Sequence, residues 1–202
     1  NAVIVLGMGG SSLGAVLLGE AVRQPSARAL LVFDSTNPSE VRRFEEGIDV
    51  ESCLFVVASK SGGTLETTVL GDYFYDRLST LVGERAGRHF VAITDEGSKL
   101  EAVAKERGFR AIFRGTPGIG GRFSVLSAFG LAPAVLCDLS VAALLDGARA
   151  MAQRCAAGTP DEENPGVALG TLLAVLAERN RSLLAIDPSP GLPGLGDWIE
   201  QL

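Results

Sequence analysis

Ala2-Val3-Ile4-Val5-Leu6-Gly7-Met8-Gly9-Gly10-Ser11-Ser12-Leu13-Gly14 passes from an unbroken apolar run into a loop of glycine and serine. The apolar half reads as a strand, and the rest as a tight turn opening a helix. A second stretch has the same chemistry: Leu54-Phe55-Val56-Val57-Ala58 leads into Ser59-Lys60-Ser61-Gly62-Gly63-Thr64. Glycines let a backbone approach an anion closely, and hydroxyls and helix-start N–H groups supply hydrogen bonds to it. Two such loops in one parallel sheet read as a site for a phosphorylated small molecule. The plain alternative for the first loop is a strand-to-helix turn that merely needs glycine.

Outward from these loops, short apolar runs alternate with longer mixed segments, the pattern of βαβ units and a parallel sheet. Strands are predicted at 2-6, 29-33, 53-58, 89-94 and 110-113. Helices are predicted at 12-23, 38-46, 64-82 and 98-107. Asn37-Pro38 supplies an N-cap and first-turn proline for the second, and Ser98 and Gly108 bound the fourth. After the glycine-rich loop Arg114 to Gly121 come helical segments at 124-135, 140-157 and 165-179, then one more strand, Ser182 to Ile186. The organisation expected is a domain over 1-138, a helical connection over 139-181, and the start of a second, truncated α/β unit over 182-202.

The 202 residues suit one domain, or one with part of a second. With 47% hydrophobic but only 6% aromatic residues, the core is expected to be mainly Val, Leu, Ile and Ala. A net charge of -6 argues against a nucleic-acid surface. There is no secretory signal and no apolar run of about 18 residues, so no membrane span is expected. Cys53, Cys137 and Cys155 lack C-x-x-C spacing, and the first two sit in apolar runs as buried thiols, consistent with a reducing cytoplasm. Asn1 runs directly into a core strand, and Asp197 to Leu202 resembles a helix cut in its first turns. The chain therefore reads as a piece of a longer protein.

The candidate site residues each have a bland alternative. Gly7-x-Gly9-x-x-Ser12 followed by Asp34 approximates a dinucleotide fingerprint, with serine in place of the third glycine. A Walker A lysine is missing, which removes the nucleoside-triphosphate P-loop. Ser59, Ser61 and Thr64 place three hydroxyls at a strand C-terminus entering a helix, with Lys60 as nearby positive charge or a solvated lysine. Glu66 either faces a sugar hydroxyl or basic group, or simply complements the helix dipole. Arg122, directly after Gly120-Gly121, suits an anion clamp or stabilisation of charge developing on oxygen; the alternative is a surface arginine closing the loop. His89, the only histidine, reads as a half-exposed residue at the mouth of a strand, so no histidine-based triad or metal-ligand spacing is offered.

Taken together, three segments resemble the glucose-6-phosphate isomerase family. Gly7 to Gly14 is similar to its first sugar-phosphate loop. Ser59-Lys60-Ser61-Gly62-Gly63-Thr64-Leu65-Glu66-Thr67 is similar to its phosphate signature. Gly120-Gly121-Arg122-Phe123-Ser124-Val125-Leu126-Ser127-Ala128-Phe129-Gly130-Leu131 is similar to its G-G-R-[FY]-S-x-x-S-A-x-G-L signature. The resemblance implies the sugar isomerase (SIS) fold, an α/β three-layer, flavodoxin-like doubly wound structure with a five-stranded parallel sheet flanked by helices. It implies interconversion of glucose 6-phosphate and fructose 6-phosphate through a cis-enediol(ate), without a cofactor or metal.

By the motif match, Gly10, Ser11, Ser59, Lys60, Ser61, Thr64, Gly121 and Arg122 would bind substrate. Arg122 would stabilise the enediolate, and Glu66 would belong to the polar lining. The family's base is a glutamate in an E-S-x-G-K segment. Glu200-Gln201-Leu202 is similar to the lead-in, so the chain is expected to stop short of the base and to be inactive or nearly so. The resemblance also allows a cytoplasmic homodimer for the full-length protein. Asp34-Ser35-Thr36-Asn37-Pro38 is similar to forms fused to a transaldolase. A non-catalytic SIS sensor of sugar phosphates and a phosphoglucose/phosphomannose isomerase stand as alternatives.

Overall fold

The computed structural model describes residues 2–21, 28–192 and 194–202. Strands β1 (Ala2–Gly7), β2 (Ala29–Phe33), β3 (Leu54–Ala58), β4 (Phe90–Thr94) and β5 (Ala111–Arg114) form one parallel sheet in the order β2-β1-β3-β4-β5. Helices α1 (Gly10–Ala21), α2 (Pro38–Glu46), α3 (Leu65–Val82), α4 (Lys99–Glu106) and α5 (Ala128–Leu136) flank it. This is the doubly wound α/β architecture expected from the alternating pattern. Helix α1 opens on the glycine loop itself; residues 22 and 23 of the helix predicted over 12-23 lie outside the described residues. Asn37 caps α2 as expected, its Oδ1 accepting from the Ser39 N–H at 2.9 Å. Ser98 caps α4, its Oγ accepting from the Glu101 N–H at 3.0 Å.

Because side chains alternate along a strand, the two faces of the sheet can be read off directly. Ile4, Leu6, Phe55, Val57, Phe90 and Ala92 pack with residues of α2, α3 and α4, among them Val41, Leu70, Phe74 and Leu100. The alternate residues Val3, Val5, Val56, Val91 and Ile93 are just as buried on the opposite face, where α1 and α5 pack on one another and on β1. Aliphatic residues dominate as expected, yet the few aromatic residues are not scattered. Phe74 stacks on Phe55 at 4.7 Å, Phe55 on Phe90 at 5.3 Å, and Phe90 on Phe109 at 5.1 Å, in a row across one face. Cys53 and Cys137 are buried free thiols, and burial pushes Cys137 up to about 11. Cys155 is exposed.

Three predicted segments differ from what forms. The helix predicted over 124-135 begins only at Ala128. Before it the chain makes a 3-10 turn over Gly121–Phe123 and two hydrogen-bonded turns, Ser124 N–H to Gly121 O at 3.1 Å and Ser127 N–H to Ser124 O at 2.9 Å. Ser127 then caps α5. Residues 182-186, predicted as a strand, form none. Leu183 is 95% exposed, and no described strand pairs with the segment to satisfy its backbone. Finally, the segment 182-202, expected to open a second α/β unit, divides. Pro188–Leu202 joins residues 1–140 in one compact unit, and Val141–Asp187 forms another.

The second unit holds α6 (Ala142–Arg154) and α7 (Pro165–Glu178), the latter capped by Asn164, whose Oδ1 accepts from Gly166 and Val167. In the first unit the returning segment forms α8 (Leu195–Glu200), which packs on α1. Among the described residues no helix is long and apolar enough to cross a membrane.

The aromatic row is the point most sensitive to truncation. Phe74 is fully buried between Phe55, Phe44 and Tyr73. Phe74→Ala is expected to lower unfolding free energy by about 3–5 kcal/mol, through lost burial and the cavity left behind. Urea denaturation followed by far-UV circular dichroism checks this.

Candidate functional site

The order β2-β1-β3-β4-β5 places the switch in strand order between β1 and β3, so crossovers leave to opposite faces there. Gly7 and Ala58, the last residues of those strands, are register partners. The first loop and the Ser59–Thr64 loop therefore emerge side by side at the strand C-termini. Arg114 ends β5 on the same edge, and the glycine-rich chain after it leads to Gly121 and Arg122.

A backbone contact then joins the third segment to the first. A side chain at Gly10 would begin 2.5 Å from the Arg122 backbone N and 2.6 Å from the Gly121 carbonyl carbon. Only glycine leaves room for that peptide to lie on the start of α1. Arg122 is exposed, its guanidinium carbon 5.0 Å from the Phe123 ring centre, and it has no ion-pair partner among the described residues. It borders an open cleft of ≈ 510 Å³ with Leu13, Asp197, Glu200 and Gln201.

From sequence, Glu200 and Gln201 stand only as part of the lead-in to an E-S-x-G-K segment, and Asp197 only as part of a helix cut in its first turns. None is expected at this cleft, because the strand predicted before them points to a separate unit. Gln201 also reaches the first loop, its Nε2 lying 3.4 Å from where a Gly9 side chain would begin.

The predicted hydroxyls divide by accessibility. Ser11 is half-buried, with no hydrogen-bond partner for its Oγ among the described residues, whereas Ser12 is buried and donates to Gly9 O at 3.0 Å. Ser59 is 3% exposed and donates to Thr64 Oγ1 at 3.1 Å. Thr64 stands at the N-cap of α3 without capping it, so the first-turn N–H groups have no side-chain acceptor from their own cap residue. Ser61 is exposed, its Oγ accepting from the Gly63 N–H at 3.2 Å. Glu66 is half-buried in the first turn of α3, without an ion pair among the described residues.

Lys60 is not a free charge. It donates to both carboxylate oxygens of Asp95 at 2.8 Å and to Thr116 O at 3.3 Å, while the Asp95 N–H donates back to Lys60 O at 3.0 Å. This pair ties together the loops that follow β3, β4 and β5. Behind it, Glu101 accepts from the Gly97 N–H at 2.6 Å and pairs with Lys105 at 2.9 Å and Arg114 at 3.3 Å. The Lys105 ammonium, then the Gly97 N–H, hold its carboxyl at about 2, below the usual 4.5.

His89 lies off this edge, at the end of a 3-10 segment over Gly83–His89, its Nδ1 3.3 Å from Cys53 O. Asp34, the acidic partner in the dinucleotide alternative, is exposed just past β2.

Fold and loop placement define a doubly wound α/β domain whose glycine- and hydroxyl-bearing loops gather at the switch point of a parallel sheet. Residues 1–186 match the family model described as Phosphoglucose isomerase. A glucose-6-phosphate isomerase of Carboxydothermus hydrogenoformans is 33% identical over 211 residues, covering 98% of this chain and 45% of that protein. The crystal structure of a hypothetical protein from Thermus thermophilus superposes with a TM-score of 0.87 at 31% identity, covering 99% of this chain and 47% of that one. That of a glucose-6-phosphate isomerase from Chlamydia trachomatis gives 0.84 at 29%, covering 99% and 39%. The chain belongs to the phosphoglucose isomerase family. It spans less than half the length of these three relatives.

Two expectations follow from the geometry. Gly10→Ala places a methyl group against the Arg122 backbone, so overpacking is expected to cost about 1–3 kcal/mol and to displace the Gly121–Arg122 turn. Thermal melting, with amide shifts of residues 121–124, checks both parts. Glu101 titrates below its unfolded value, so its contribution to stability is complete above pH 4.5 and is lost as pH falls toward about 2. Glu101→Gln is expected to flatten the fall in stability over that window, as read by urea midpoints at successive pH values.

Proposed function

We propose that this chain is the sugar-phosphate-binding domain of an aldose–ketose isomerase acting on glucose 6-phosphate and fructose 6-phosphate, and that the full protein works in the cytoplasm. The observation that carries this reading is the seat of the Gly121–Arg122 peptide on Gly10. It brings an arginine without an ion-pair partner among the described residues to the edge where two hydroxyl-rich loops already meet. The reaction must remove a weakly acidic proton from carbon next to a carbonyl, passing through a cis-enediol(ate).

Phosphate would be held by Ser61, Thr64 and Ser11, with the first-turn N–H groups of α3 and the Gly10 backbone beside them. Ser59, being buried, would act by fixing Thr64. Lys60, held by Asp95, would brace the loop and contribute little net charge. Arg122 would stabilise negative charge on the enediolate oxygens by donating guanidinium N–H groups to them from the edge of the open cleft. Glu66 and Gln201 would complete the polar lining.

A carboxylate base moves the proton between C2 and C1, and residues 1–202 contain no E-S-x-G-K run. Glu200 and Asp197 border the cleft, yet neither stands in that motif. The domain is therefore read as binding substrate without turning it over. A module that only senses sugar phosphates has no need of Arg122 in the cleft, so the arginine favours the isomerase.

Calorimetric titration of the purified chain with fructose 6-phosphate, with isomerase turnover measured on the same sample, tests this. Saturable binding is expected, weakened about tenfold or more by Arg122→Ala and by Ser61→Ala, without turnover. Affinity indifferent to both substitutions would overturn the site. Robust turnover would make a carboxylate within 1–202 the base, with Glu66 and Glu200 the first to replace.

A further inference from the structure

At the opposite edge of the sheet, under the N-terminal ends of β1 and β3, lies a polar hollow of ≈ 280 Å³ bordered by Arg28, Glu51, Cys53, Arg88, His89 and Arg110. Arg88 and Arg110 have no ion-pair partner among the described residues. Arg28 is partly engaged, 3.5 Å from Asp138 and donating to Leu136 O at 3.2 Å. His89 has its Nδ1 3.3 Å from Cys53 O, which favours the proton on that nitrogen and leaves Nε2 as the ring nitrogen without a partner among the described residues. Glu51 is the single carboxylate on the rim.

The basic residues are brought together by backbone packing, not by chance meetings of long side chains. A side chain at Gly87 would overlap Arg107 O and begin 2.6 Å from Gly108 O, so the turn carrying Arg88 and His89 is pressed onto the turn preceding Arg110. The Arg110 N–H then donates to Gly87 O at 3.2 Å and Phe90 O at 2.8 Å. Three guanidiniums face one rim carboxylate, Glu51, with only Arg28 also near Asp138, and such an excess of positive charge is unfavourable and unexpected in a chain of net charge -6. An oxyanion removes that cost. Guanidinium groups suit one that bears several equivalent oxygens, since each can offer two parallel N–H donors.

We propose that this hollow is a second anion site, one that takes the multiply charged phosphate group of a small metabolite. It is separate from the strand C-terminal edge, and the inference does not depend on the isomerase reading.

Amide-resolved NMR titration of the 202-residue chain with inorganic pyrophosphate tests it. Saturable shifts are expected at Arg88, His89 and Arg110. The double variant Arg88→Ala/Arg110→Ala is expected to weaken the affinity read at the His89 amide about tenfold or more for each guanidinium removed. Arg85→Ala, in the same turn but off the hollow, is expected to leave affinity unchanged. Should the double variant lose its dispersed spectrum, Arg88→Gln and Arg110→Gln singly carry the test. Unchanged affinity in the folded variants overturns the proposal. So do equal shifts at unrelated exposed arginines such as Arg42 and Arg149, which mark an adventitious ion only. Shifts confined to Gly10–Ser12 and Ser59–Thr64 also overturn it, while supporting the phosphate reading of those loops.

Discussion

Where the Arg122 backbone lies on Gly10, two segments more than a hundred residues apart come closer than any side chain would permit. Much of the candidate site depends on that contact. It fixes the start of α1, with the unengaged Ser11 hydroxyl, relative to a guanidinium that no described carboxylate neutralises. It also sets the level at which the chain turns before α5, and α5 in turn packs on α1. The contact involves backbone on one side and a missing side chain on the other. Its geometry is therefore insensitive to rotamer choice.

Electrostatics supports the same edge by tying loops down instead of leaving charge free. Lys60 and Asp95 link the loops after three neighbouring strands, and Glu101 behind them collects a backbone N–H and two cations. Arg122, by contrast, has no such partner among the described residues. The division is physically sensible. Charges that position a loop need compensation in place, and Lys60 and Glu101 have it while Arg122 lacks an ion-pair partner among the described residues. The N-terminal edge follows a similar logic, with Arg88 and Arg110 gathered by packing and no described carboxylate paired with either.

Much of the fold was legible because its signals are local. The apolar runs at β1, β3 and β4, the caps at Asn37 and Ser98, and the glycine loops each depend on a few consecutive residues. The late start of α5 was less legible, since Ser124 to Ser127 runs straight into the helical sequence after it but is held in successive turns, Ser124 N–H to Gly121 O and Ser127 N–H to Ser124 O. Ser182 to Ile186 looked like a strand for the same local reason. A strand, however, is a property of a pair, and nothing in the segment reveals whether an edge will be there to receive it.

The residues themselves determined the doubly wound α/β class and the two loops at strand ends, because hydrophobic period, glycine spacing and hydroxyl placement are written along the chain. Only the tertiary structure decided that Ser59 is buried against Thr64, that Lys60 is held by Asp95, and that α8 returns with Glu200 and Gln201 to the cleft of Arg122. These depend on distances between segments far apart in the chain. Such distances follow from packing of the whole sheet and its helices, which no local pattern contains.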